Sequence, residues 1–162
     1  MMRKILTAAL ALFVIIQFLR PARDNNDASA QASNINNFLA VPADIDQTLK
    51  TSCYDCHSNR TNYPWYSAVQ PFGWWLDHHV YEGKKELNFD AFGGYSLRRQ
   101  FHKLEEVEEM IEEDEMPLSS YTLIHRGSKL SPEQKRQLIT WSEKARAEMS
   151  AKYPADSLKA KK

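Results

Sequence analysis

Two cysteines three residues apart, followed at once by a histidine, constrain this chain more than any other feature. They stand at Cys53-Tyr54-Asp55-Cys56-His57, and the 162 residues hold no other cysteine. C-x-x-C-H is the attachment pattern of a c-type haem. Two thiols one helical turn apart can add to the two vinyl groups of one porphyrin, and the next residue projects an imidazole toward the iron. Other uses of the pair fit less well. A structural zinc site needs two more ligands, and His57 is badly placed to share an ion with its neighbour Cys56. A thioredoxin-like redox pair belongs in a βαβ setting, and no strand–helix alternation surrounds this one. A disulfide between residues three apart would close a very small, strained loop.

The first residues read as an export segment. Arg3 and Lys4 precede a run from Ile5 to Leu19 that is apolar apart from Thr7 and Gln17. The run is shorter than the ~20 residues of a comfortable spanning helix. It is long for the apolar region of a signal peptide. Arg20-Pro21-Ala22-Arg23-Asp24 is a poor cleavage region, and Ala28-Ser29-Ala30, which has the A-x-A form, lies well past the run. The expectation is an uncleaved transmembrane signal anchor over 1–23, with a cleaved signal peptide as the alternative. The protein is then expected on the periplasmic side of the cytoplasmic membrane, anchored, or soluble in the periplasm after cleavage. Export agrees with the motif, because bacteria attach haem c outside the cytoplasmic membrane. Residues 24–35 are polar and read as a flexible linker.

Beyond the linker the patterning is helical, and the chain contains only five glycines. Asp44 can cap a short helix, with Ile45 and Leu49 on one face, that runs into Cys53. Ser58 to Tyr63 reads as a loop. Trp65, Val69, Phe72, Leu76 and Val80 follow helical spacing, but Pro71 interrupts it, so a helix is predicted over 71–82 with Gly83 as its terminator. Ser96 caps the next helix, whose apolar face is Phe101, Leu104, Val107 and Ile111. Bases stand near its start and eight acids between Glu105 and Glu115, the reverse of the macrodipole preference. Ser131, Pro132 and Gln134 begin a last helix with the stripe Leu138, Trp141, Ala145 and Met149. Past Tyr153 the chain is Lys-rich and expected to fray.

The order of parts resembles a class I cytochrome c. More narrowly, the chain resembles a small bacterial haem-binding domain family with a single C-x-x-C-H. The matching pieces are 53–59 around the motif, Tyr63-Pro64-Trp65-Tyr66-Ser67, and Gln70 to Leu76. Then come His79-Val80, Glu82-Gly83 and Leu87-Asn88-Phe89. Last are Met116-Pro117-Leu118, Tyr121, His125, 130–133 and Trp141. The resemblance implies an all-α, cytochrome c-like haem domain over 36–150, with 151–162 as a basic tail. It also implies one covalently attached haem c, with thioether bonds at Cys53 and Cys56 and the iron held by His57. Met116, just before a proline and after a helix, resembles the distal-ligand loop of small cytochromes c. A thioether there raises the reduction potential. His78, His79, His102 and His125 are rivals for the sixth position. The carbonyl that orients His57 is expected near Tyr63-Pro64, and Trp65, Phe72, Trp74 and Trp75 are expected to wall the haem.

Two functions follow. The first is an electron carrier, not an enzyme, which exchanges electrons with a redox protein. The acids of 105–115 would steer a basic partner, and the apolar N-terminal helix would hold the membrane. The second is a haem sensor or peroxidase-like enzyme with a displaceable sixth ligand. The formal net charge of zero argues against nucleic acid.

Overall fold

The computed structural model describes residues 1–23, 25 and 32–159, and among them the apolar periodicities become eight α-helices. Among the described residues there is no β-strand. Helix α1 (Met2–Ile16) stands alone at the N-terminus with no buried residue. Helices α2 (Ala43–Ser52) and α3 (Tyr54–His57) carry the motif. Helix α4 (Phe72–Glu86) packs against α3. Helices α5 (Leu97–Glu112) and α7 (Pro132–Lys152) lie along each other, α6 (Ser119–Ile124) lies between them in sequence, and α8 (Ala155–Leu158) closes the chain.

The α5–α7 pair forms the centre of the core. Phe101, Leu104 and Ile111 on α5 are buried with Leu138, Trp141, Ala145 and Met149 on α7. Each large apolar side chain withdrawn from water contributes roughly 1.5–3 kcal/mol. Small residues let the backbones approach: Ser142 is fully buried, and its hydroxyl donates to the Leu104 carbonyl at 2.5 Å. The expected starts are present. The Ser96 hydroxyl accepts from Arg99 N–H at 3.3 Å, and Ser131 with Gln134 forms a reciprocal capping box. The inverted charge order on α5 has a tertiary explanation. Glu105 and Glu108 meet Arg146 of α7 at 2.9 and 3.0 Å, and Asp114 pairs with Lys135. Several acids that oppose the α5 dipole therefore hold α7 in place.

A buried carboxylate joins three separate loops. Asp90 is 1% exposed. It accepts from Asn34 Nδ2 at 2.7 Å, Asn59 N–H at 2.9 Å and Arg60 Nη2 at 2.5 Å. The chain leaving the motif is thus tied to the segment after α4. A buried charge is tolerable when it is paired and hydrogen-bonded in this way.

Several expectations are corrected. Gly83 does not end its helix, which continues to Glu86. A Cβ on Gly83 would lie 2.7 Å from the Cys56 carbonyl, so the glycine serves close packing of α4 on α3. Trp65 and Phe72 are not on the buried face, being 82% and 59% exposed, whereas Leu76 and Val80 are buried as expected. Ile35, one residue before the expected start of the haem domain, is fully buried. The tail past Tyr153 does not simply fray: α8 places Leu158 in the core.

The N-terminal expectation also changes. Helix α1 has 15 residues, about 22 Å at 1.5 Å per residue. No helix of the described residues is long and apolar enough to cross a membrane. The stretch after α1 lies on the domain: Arg23 Nη2 donates to the Ser67 carbonyl at 2.9 Å, and Asn25 exchanges hydrogen bonds with the Thr61 backbone. The A-x-A site at 28–30 and most of the predicted linker lie outside the described residues.

Candidate functional site

The motif is the junction of two helices. Cys53 closes α2, its N–H donating to the Leu49 carbonyl at 2.9 Å. The Cys53 carbonyl then accepts from the N–H groups of Cys56 and His57, at 3.1 and 2.9 Å, to form the α3 turn. Both cysteines are free thiols. Burial, reinforced by the neighbouring Cys56, pushes the Cys53 thiol up to about 12. Burial and then the Asp55 carboxylate push Cys56 up to about 11, against the opposing Lys84. A redox-active C-x-x-C pair depends on a lowered thiol value. Here burial instead disfavours both thiolates, so the pair lacks the setting of a redox-active couple. Among the described residues no group of three or more His, Cys, Asp or Glu is placed to hold a metal ion, so a zinc site lacks its remaining ligands.

His57 is oriented from α4 and the segment beyond it. Its Nδ1–H donates to the Leu87 carbonyl at 2.9 Å, while its own carbonyl accepts from Phe89 N–H at 2.8 Å. The expected partner near Pro64 is not used; that carbonyl accepts from Ser67 instead. A carbonyl can only accept, so Nδ1 carries the proton and Nε2 keeps its lone pair for a metal. Burial lowers the His57 value, opposed by the backbone carbonyl hydrogen bonds, and favours this neutral tautomer.

A cleft opens at this histidine in two halves, of about 380 and 300 Å³. Both halves are walled by Ser52, Cys53, His57, Glu86, Met116 and Pro117. The larger adds Leu49, Phe89, Val107, Met110, Ile111 and Leu130, an apolar lining. The smaller adds Cys56, His78, His79, Leu118 and Tyr121. These are ligand-sized volumes, with charged Glu86, Lys103 and Glu106 at the border of the larger half. The structure thus brings Met116 to the same walls as Cys53 and His57. The turn that does so is made where Glu115 and Met116 N–H both donate to the Met110 carbonyl, at 3.0 and 3.1 Å. A larger cavity, about 590 Å³, lies against α4 between Tyr63, Trp74, Asp77 and Lys84, away from both cysteines.

The rival histidines divide. His125 lines neither half: its Nε2 is hydrogen-bonded to the Tyr66 hydroxyl at 2.8 Å, and its ring stacks on Tyr121 with 4.4 Å between centroids. His102 borders the larger half but lies 3.1 Å from Glu106. His79 borders the smaller half with Nδ1 donating to the Trp75 carbonyl at 2.8 Å. None of the four aromatics expected around the haem, Trp65, Phe72, Trp74 and Trp75, borders the cleft. Phe89 does so, stacked on Tyr54 at 5.4 Å and edge-on to His57 at 6.4 Å.

Sequence reasoning missed several participants. Leu87 acts through its carbonyl, which carries no sequence signal. Lys103, 8% exposed, borders the cleft between Glu86 at 3.2 Å and Glu106 at 2.5 Å. A second thioether, Met110, sits in the larger half; its spacing from Val107 was the available clue.

The residues fit a haem. Two thiols, an imidazole with its outer nitrogen free, a thioether and an apolar floor meet at one cleft. Comparison with known proteins points the same way. The chain is 26% identical over 130 residues to the cytochrome c peroxidase Ccp of Escherichia coli (strain K12), an alignment covering 78% of this chain and 27% of that protein. The chain therefore spans about a quarter of the length of this curated relative. No solved structure matches it. The model of a family described as a haem-binding domain matches residues 11–144, and the chain belongs to that family.

Proposed function

We propose that this protein is a haem c electron carrier, exported and held at the outer face of the cytoplasmic membrane. The observation that carries the reading is the orientation of His57 by Leu87 in a cleft that Met116 also walls. Cys53 and Cys56 would hold the haem through thioether bonds. His57 Nε2 and Met116 Sδ would hold its iron. The haem supplies reversible one-electron exchange at iron. The protein residues do the rest: Leu87 fixes the imidazole, the thioether favours reduced iron, and Phe89 with the aliphatic wall excludes water.

Haem staining of a denaturing gel tests attachment; haem stripped by acid acetone would refute it. Met116→Ala should abolish the far-red thioether-to-iron band and lower the potential. An unchanged spectrum would transfer the ligand role to a histidine, with His79 first.

A second reading is peroxidase-like chemistry, favoured by the similarity to a cytochrome c peroxidase. It would require a position on the iron that Met116 does not hold. Rapid reaction of the wild-type ferric protein with peroxide would select it over the carrier.

A further inference from the structure

We propose that the N-terminal end of α4, together with the end of α1, forms a rim that lies in the headgroup region of an anionic bilayer. This rests on the membrane association proposed above and extends it from a tether to a docked domain.

The argument begins with α1. None of its residues is buried, and Leu6, Leu10 and Ile15 are exposed. Such a helix is unfavourable in water. At about 22 Å it is also short of the ~30 Å hydrocarbon core. A short apolar segment meets this mismatch by drawing its flanks toward the bilayer. The flank here is Phe18, 82% exposed, and Leu19.

That flank is not a free tether. Gln17 Nε2 donates to the Gln70 carbonyl at 3.2 Å, and Gln70 N–H donates to Gln17 Oε1 at 2.8 Å. Trp74 Nε1–H donates to the Leu19 carbonyl at 2.6 Å. Whatever phase takes up α1 therefore receives the start of α4 as well. There, Phe72 and Trp75 are exposed by 59% and 44%. Tryptophan favours the membrane interface, where an apolar ring meets polar groups. The charge also fits. Arg23 lies 3.7 Å from Asp77, whereas exposed Arg20, whose Nε donates to the Gln17 carbonyl at 3.3 Å, puts a positive charge beside Phe18 and Leu19. His79 and Glu82, on the wall of the smaller half-cleft, follow one and two turns beyond Trp75, so docking would hold the haem cleft close to the membrane.

The test uses the full-length haem-loaded protein and vesicles of phosphatidylcholine with phosphatidylglycerol. Wild type should float with the vesicles, and lipids brominated near the headgroup should quench its tryptophan fluorescence. Phe72→Ser with Trp75→Ser should weaken partitioning about tenfold and reduce the quenching, with the haem spectrum unchanged. If wild type floats but the double variant binds equally well, the rim is refuted while membrane association stands. If wild type does not float at all, membrane association itself fails, and the rim with it. A vesicle-independent dimer that the double variant abolishes would overturn the proposal in favour of a second copy as the occupant.

Discussion

Replacing Gly83 with alanine sets helix propensity against close packing. In an unconstrained helix interior, glycine to alanine gains about 1 kcal/mol. Gly83 lies inside α4, yet an added Cβ would stand 2.7 Å from the Cys56 carbonyl oxygen and 3.1 Å from the Cys56 Cβ. The neighbour is backbone, and it cannot move easily. Its next residue, His57, is hydrogen-bonded to Leu87 through the ring and to Phe89 through the carbonyl. Forcing extra atoms into a packed contact costs roughly 1–3 kcal/mol. The packing cost should exceed the propensity gain and leave a net loss of about 1 kcal/mol, or about 2–4 °C in melting temperature for a chain of this size. Gly127 is the control, since a Cβ there meets nothing within 4 Å. Gly127→Ala should raise the melting temperature through the entropy of the unfolded chain. Thermal unfolding followed by far-ultraviolet circular dichroism reads both. If Gly83→Ala is as stable as wild type, or more so, the close approach of α4 to the Cys56 turn is wrong. The same displacement should lower the amount of haem bound, because α4 and the Cys56 turn share the cleft.

Two further outcomes follow from particular charges. Burial lowers the His57 value in the fold below its ordinary 6.5, so the unfolded chain binds the extra proton first. The associated stability is present above 6.5 and is lost as pH falls through that value toward the lowered one. Thermal unfolding of the haem-free chain between neutral and mildly acidic pH should show this slope. His57→Leu should flatten it, and an unchanged slope would place its origin elsewhere. Glu108 and Glu112 should respond differently to reversal. Glu108→Lys would set a cation against Arg146, which now lies 3.0 Å from the carboxylate, and cost about 2 kcal/mol in urea unfolding. Exposed Glu112→Lys should leave stability within about 0.5 kcal/mol. It should also slow electron transfer to a basic acceptor at low salt. Equal rates for wild type and Glu112→Lys would leave that acid as a solvated helix face.

The acidic stretch shows how the sequence can overstate a surface. Glu105 to Glu115 contains eight acids, which read as one outward field. The fold commits Glu105 and Glu108 to Arg146, Glu106 to Lys103 and Asp114 to Lys135. Glu106 and Lys103 are neighbours at i and i+3 on α5, but Arg146 and Lys135 lie far along the chain, and no local pattern announces those pairs. Exposed Glu112, Glu113 and Glu115 remain as the stronger candidates for a partner.

What the sequence determined by itself is local. The C-x-x-C-H pentapeptide, the Ser96 and Ser131 caps, and the apolar faces of α5 and α7 depend on spacings of three and four residues, which a helix converts directly into one face. The all-α class and the helical starts follow from those spacings. Tertiary structure decided the rest. Gly83 looked like a terminator because its reason for being glycine, the Cys56 carbonyl, lies 27 residues earlier. Leu87 orients His57 through a backbone atom common to every residue type. Trp65, Phe72 and Trp75 have the composition of a cofactor wall, yet all three are exposed, while Gly73, Leu76 and Val80 are the residues that α4 buries. A sequence records which side chains are apolar. Only the fold decides which of them meet the core, the cleft or the surface.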